Sequence, residues 1–301
     1  GASVSVAGPG KERLFEHGFQ LYSRINARAI RGEVSWAELP PADRDLMQEA
    51  MLLLAEAADQ GHAYAQQILG EVYNFGEGVP VDLERALELF VAAGHQGLPG
   101  SQMNAGIQFR DGLGCEQSHE RAVEWLAKAA MLTPKAEDAA KTSDNEVDPI
   151  FDHMKPVSQA TYELSIAYFL GEGVVQNHQT AFRLCRRAAV GGHGEAYSML
   201  ITLYRSGAGV SQSWGRAKET YDDAVKHGHT VHFPFMSELE SACPLLHRSV
   251  VLEGLSTELN GRRGTTVDFT CPITDGCMLE GGQYTVELDD GQVVEASPSH
   301  V

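Results

Sequence analysis

Cysteine is scarce in this 301-residue chain: five residues, widely scattered and odd in number, which excludes a secreted disulfide framework and points to a reducing compartment, cytoplasm or organelle lumen. Positive charge is also short, with 23 Lys and Arg against 41 Asp and Glu and a formal net charge of -18. Nucleic acid is therefore not expected as a partner, because duplex binding draws most of its affinity from basic side chains that release counterions. An acidic surface steers a basic partner toward it, or simply keeps the chain soluble. No apolar run approaches the roughly 18–20 residues of a membrane span, so no membrane insertion is expected. The opening GASVSVAGPG lacks the basic start and apolar stretch of a signal peptide and reads, over residues 1–10, as a linker or leftover tag with no targeting segment. Catalytic signatures are missing too: no HExxH, no GxSxG, and no Gly-Lys-Ser/Thr after a glycine pair. No catalytic residue, cofactor or metal is expected.

With 43% apolar and 21% charged residues the chain has the balance of one or two folded domains. The main signal is internal repetition. Four glycine pairs, Gly76/Gly78, Gly112/Gly114, Gly171/Gly173 and Gly207/Gly209, stand 36, 59 and 36 residues apart. Three residues before each first glycine lies an aromatic (Tyr73, Phe109, Tyr168, Tyr204), and ten and seventeen after it lie alanines (Ala86/Ala93, Ala122/Ala129, Ala181/Ala188, Ala217/Ala224). Six after it come Asp82, Ser118, Asn177 and Ser213, three residue types sharing a short side chain able to cap a helix N-terminus. Each unit reads as a helix A, a glycine loop that reverses the chain, and a helix B whose two alanines share one face. Phe90, Leu126, Cys185 and Tyr221 fill the apolar column of helix B, and Leu69, Ala105, Leu164 and Leu200 that of helix A.

The segment AYAQQILGEVYNFGEGVPVDLERALELFVAAGHQG resembles the Sel1-like repeat, a relative of the tetratricopeptide repeat. The resemblance implies a mostly α fold, an α/α solenoid of about five units over residues 11–230. A first helix A is expected within Lys11–Ile30, an enlarged loop at Trp36–Pro41, and helix B at Ala50, Ala57 and Gly61. Ser165 and Ile201 replace the family's helix A glycine, present at Gly70 and Gly106, which implies altered packing in those units. The long third interval places an exposed insertion at residues 133–157.

After His229 the register fails. Residues 231–247 read as a capping helix and linker, which a solenoid needs to cover its last apolar face. From Arg248 the pattern alternates, with Asn260-Gly261 and Asp290-Gly291 as hairpin turns, so residues 248–301 are expected to form a small SH3-like β-barrel module. This stretch resembles β modules of algal and protist proteins and hints at a eukaryotic microbe. Deleting it is expected to leave the solenoid folded.

The repeated register makes the glycine pairs structural rather than phosphate-binding, and puts His229 in a column with His62 and His193 rather than in a metal cluster with His227 and His232. Cys243, His247, Cys271 and Cys277 offer zinc-ligand types at an unconventional spacing; free thiols or a disulfide are the alternatives. What remains is a surface. Helix A of each unit would line the concave side of a solenoid, and register places Tyr64, Gln67, Glu71 and Asn74, then Met103, Ile107 and Arg110, then Gln159, Tyr162, Ile166 and Phe169, then Glu195, Ser198, Thr202 and Arg205 at its exposed positions. Apolar and aromatic side chains there serve as anchors for a partner, unless the insertion folds over them. The reading is a non-catalytic adaptor or scaffold that binds a protein partner bearing a basic or amphipathic segment. The alternatives are a two-site linker whose β module binds its own ligand, and a hydrolase or zinc-dependent enzyme.

Overall fold

The four short polar residues of the repeat begin helices as the sequence requires. Asp82 Oδ1 accepts from the Arg85 amide at 3.0 Å, Ser118 Oγ from Arg121 at 3.3 Å, Asn177 Oδ1 from Thr180 at 2.9 Å and Ser213 Oγ from Arg216 at 3.0 Å. Each of these residues also donates its own amide to the carbonyl of the repeat aromatic, Tyr73, Phe109, Tyr168 or Tyr204, at 2.8–3.0 Å, so loop and cap form one hydrogen-bonded turn. The computed structural model describes residues 10–131, 154–231, 246–252, 258–270 and 282–301. The 133–153 part of the insertion, nearly all of the capping segment, and Cys243, Cys271 and Cys277 lie outside them, whereas the insertion's last residues already belong to a helix from Met154.

Two compact units result. The first holds residues 1–164 with 172–174, and the second residues 165–171 with 175–301. The first contains α1 (Lys11–Ile30), α2 (Pro41–Asp59), α3 (Ala63–Phe75), α4 (Leu83–His95), α5 (Pro99–Asp111), α6 (His119–Met131) and the start of α7 (Met154–Leu170). The second contains the end of α7, α8 (His178–Val190), α9 (Gly194–Ser206), α10 (Trp214–Lys226) and a sheet. Odd-numbered helices are A helices and even-numbered ones B helices. The expected alanine columns are buried, Ala86, Ala93, Ala122 and Ala129 in the first unit and Ala181, Ala188, Ala217 and Ala224 in the second.

Helix A and helix B meet through volume matching. A Cβ at Gly70 would stand 2.7 Å from the Phe90 ring, and one at Gly106 2.8 Å from Leu126. Ser165, where the glycine is lost, lies within hydrogen-bonding reach of the smaller Cys185, and Ile201 shares a hydrophobic cluster with a Tyr221 that is only partly buried. In the Ser165 pair the volume gained on helix A is given up on helix B, whereas in the Ile201 pair both side chains are large and the tyrosine is displaced toward the surface. Gly70→Val is expected to lower stability by about 1–3 kcal/mol through overpacking against the buried Phe90. Thermal melting checks this; unchanged melting would mean the ring can swing aside.

In the second unit β1 (Ser249–Val251), β2 (Arg263–Thr270), β3 (Gln283–Leu288) and β4 (Val293–Ala296) form an antiparallel sheet in the order β1-β2-β3-β4. Gly261 (φ 80°) and Gly291 (φ 82°) sit in the two expected turns. Among the described residues this is an open meander, and β1 does not pair with β4 to close a barrel. Its apolar face is not a separate core. Phe269, Tyr284, Val286, Leu288 and Ala296 share one buried cluster with Ile201, Trp214 and Ala217 of α9 and α10. A bulge in β2 around Val267 turns Asp268 toward α10, where Oδ1 accepts the Gly215 amide at 2.8 Å. A side chain at Gly215 would meet the Val267 carbonyl oxygen at 2.5 Å, so glycine permits this approach. The sheet helps to cover the last helix pair, and Leu246, from the end of the expected capping segment, is buried in the same cluster; residues 232–245 of that segment lie outside the described residues.

Candidate functional site

Helix A positions predicted to be exposed are mostly half-buried, because neighbouring A helices bind one another through a polar ladder. In the first unit Gln67 is 9% exposed rather than open, since its amide donates to Glu71 Oε1 at 3.1 Å and its oxygen accepts from Ser101 Oγ at 3.4 Å. One turn further on, Gln108 Nε2 donates to Asn74 Oδ1 at 2.8 Å, and Arg110 donates to Glu163 Oε2 at 2.5 Å and to Asp111 at 2.7 Å. Tyr64 is half-buried 6.3 Å from the Phe15 ring and 6.4 Å from His62. Met103, Ile107, Gln159 and Tyr162 are likewise half-buried. In the second unit Ile166 and Phe169 are half-buried, and Phe169 stacks on His178 at 4.9 Å instead of standing clear. Of the remaining four, Glu195 and Thr202 are exposed, Ser198 is half-buried, and the Arg205 guanidinium lies 5.2 Å from the centre of the Trp214 ring.

Ser101 and Gln108 are the residues that register reasoning missed. Their partners stand 34 residues away, not the 36 of the glycine columns, because a ladder between A helices joins side chains half a turn out of repeat register. A search for polar pairs at that offset would have found them.

A second missed feature lies in the first unit. The end of α1, the loop after it and Glu77, the residue between Gly76 and Gly78, line a cleft of about 690 Å³ that includes Asn26, Glu33, Ser35 and Trp36. Tyr22 Oη donates to Glu77 Oε2 at 2.6 Å, and its ring stacks 6.2 Å from Trp36. Burial holds the Glu77 carboxyl above its usual range and pushes Glu71 up to about 7, with the Glu77 charge also raising Glu71 and the Gln67 hydrogen bond opposing the rise. Burial and the two acids likewise raise the Tyr22 phenol, so it stays a hydrogen-bond donor.

Among the described residues no three His, Cys, Asp or Glu gather as a metal site, and no helix is long and apolar enough to cross a membrane. His229 stacks on Tyr197 at 5.1 Å, and His62 Nδ1 accepts the Ala65 amide at 3.2 Å as a helix cap. Cys185 is buried, its thiol pushed up to about 12 by desolvation, which removes nucleophilic character.

A family model described as Sel1 repeat matches residues 40–62, 63–98, 99–133 and 158–193. A Sel1 repeat protein from Oxalobacter formigenes has a TM-score of 0.54 at 22% identity, over 74% of this chain and 89% of that one. A protective antigen of uropathogenic Escherichia coli displaying an SLR fold has a TM-score of 0.53 at 22% identity, over 77% of this chain and 49% of that one. An uncharacterised protein of Neisseria meningitidis serogroup B is 26% identical over 189 residues, 60% of this chain, which thus spans 40% of that relative's length. These are bacterial proteins, and they lend nothing to the expectation of a eukaryotic source.

Proposed function

Because the chain carries Sel1 repeats over residues 40–133 and 158–193, a fold generally used as a protein-interaction scaffold and typically not catalytic, we propose that it is a non-catalytic adaptor that holds a partner peptide or helix on the A-helix face. The observation that carries the reading is the composition of that face in the first unit. Met103, Ile107 and Tyr162 are half-buried apolar side chains on helices tied to their neighbours by polar contacts, Gln67–Ser101 and Asn74–Gln108 between α3 and α5 and Arg110–Glu163 between α5 and α7. Rigid apolar anchors beside ordered polar groups suit a preformed binding surface, since little conformational entropy remains to be lost on binding. In the second unit Ile166, Glu195, Ser198, Thr202 and Arg205 supply the corresponding face. The acidic balance of the chain favours a basic or amphipathic segment in the partner.

The test is photo-crosslinking with p-benzoylphenylalanine at Ile107, compared with Glu88 on the exposed side of α4. A discrete partner band at Ile107 that is missing at Glu88 is the expected result. Equal labelling at both positions, or labelling at Glu88 alone, would remove the A-helix face from consideration.

A further inference from the structure

We propose that the cleft bounded by Trp36, Glu77, Asn26 and Ser35 is a receptor for a single arginine side chain presented by a protein partner. The source of that arginine rests on the scaffold reading above; the recognition chemistry does not.

Three observations lead there. First, the cleft holds an unmatched negative charge. Glu33, also in the lining, is ion-paired with Arg31 at 2.6 Å and Arg28 at 3.4 Å, so its charge is balanced within the chain. Glu77 has no such balance. Among the described residues its polar partner is the Tyr22 hydroxyl at 2.6 Å, and no Lys, Arg or His stands within ion-pair distance of it. Glu71, the other acid near it, is held by Gln67 and supplies no positive charge in either protonation state. A half-buried carboxylate without a cation is unfavourable when ionised, and an incoming cation offsets that cost.

Second, the cleft has an aromatic wall. Trp36 lines it, backed by Tyr22 in a near-parallel stack with 15° between the rings, which fixes the indole in place. Indole is the strongest cation–π partner among side chains. Guanidinium is planar, weakly hydrated and able to stack while donating in its own plane, whereas ammonium is a compact, strongly hydrated point charge. Third, Asn26 and Ser35 belong to the same lining; both side chains carry a neutral acceptor oxygen, the Ser35 hydroxyl already accepting the Ala37 amide at 3.3 Å with a second lone pair left, and a five-donor fork can use such acceptors where a neutral apolar ligand cannot. The Tyr22 hydrogen bond fixes one carboxylate oxygen of Glu77, leaving the other to accept a charge-assisted hydrogen bond from an incoming guanidinium.

The probe is acetyl-arginine amide, titrated against the intact chain with the Trp36 indole N–H followed by NMR and identified by its loss in Trp36→Phe. Acetyl-citrulline amide, which has nearly the same shape without the charge, is the control. Arginine is expected to move the Trp36 signal saturably in the millimolar range, and citrulline is expected to leave it in place. Glu77→Gln, which keeps an oxygen for the Tyr22 hydroxyl, is expected to weaken the arginine effect at least about tenfold. Tyr22→Phe keeps the charge but frees the carboxylate, and is expected to weaken binding only severalfold. Equal shifts with arginine and citrulline, an undiminished arginine effect in Glu77→Gln, or no arginine response in the wild type would each overturn the proposal. No partner protein is present in this titration, so its failure leaves the Ile107 crosslink untouched, and failure of the crosslink leaves the titration untouched.

Discussion

Truncation after residue 245 is expected to unfold the last helix pair instead of releasing an intact solenoid. Ile201 and Ala217 are fully buried and Trp214 is 3% exposed, and their cover includes Phe269, Tyr284 and Val286 of the sheet. Without the sheet an indole and an isoleucine side chain would face water, and the Gly215 amide would lose its bond to Asp268. Hydrogen exchange reads the outcome by segment: amides of α9 and α10 lose protection in the truncated chain, while those of α3 to α6 keep theirs. Trp214→Ala tests the same contact in the full chain and is expected to cost about 3–5 kcal/mol, the range for emptying a buried aromatic site. If α9 and α10 stay protected after truncation, the sheet is an appendage and the two-site linker returns as a reading.

The second large effect is a pH dependence centred on Glu71. Its carboxyl titrates at about 7 in the fold, against an ordinary value of 4.5, chiefly because burial disfavours the ionised form. The folded state therefore binds the proton more tightly than the unfolded chain, and stability is fully present below about pH 4.5 and is lost as pH rises toward 7. The loss is on the order of 3 kcal/mol, from about 1.4 kcal/mol for each pKa unit. Glu71→Gln keeps the shape and the hydrogen bond with Gln67 but carries no proton to lose. It is expected to match the wild type at pH 4.5 and to exceed it at pH 8, as measured by urea unfolding at the two values. A variant less stable than the wild type at pH 8 would mean that the ionised carboxylate is stabilised there, the opposite of what burial implies. Histidines pull the other way: burial lowers His62 and His193, so their contribution is present above the ordinary imidazole range and falls away on acidification. Comparing variant with wild type cancels this background.

The repeat architecture was readable residue by residue, and the reason is local. Capping by Asp82, Ser118, Asn177 and Ser213, left-handed glycines such as Gly76, and alanines one face apart are matters of a few neighbouring residues, so the chain encodes them where they occur. Helix A within Lys11–Ile30 and the turns at Gly261 and Gly291 belong to the same class. The A-helix face was legible only as a register. Periodicity says which side chains leave the B-helix core; it does not say that Gln67 bonds to Ser101 or that Phe169 stacks on His178, because those partners come from other helices.

Two features were set by tertiary structure alone. The chain by itself determined five helix pairs, their caps and a β-rich ending. That the ending shares a core with Trp214, and that Tyr22, Trp36 and Glu77 meet across 55 residues at one cleft, follows from how those elements pack. Packing joins residues by distance in space, and nothing in their sequence spacing carries that information.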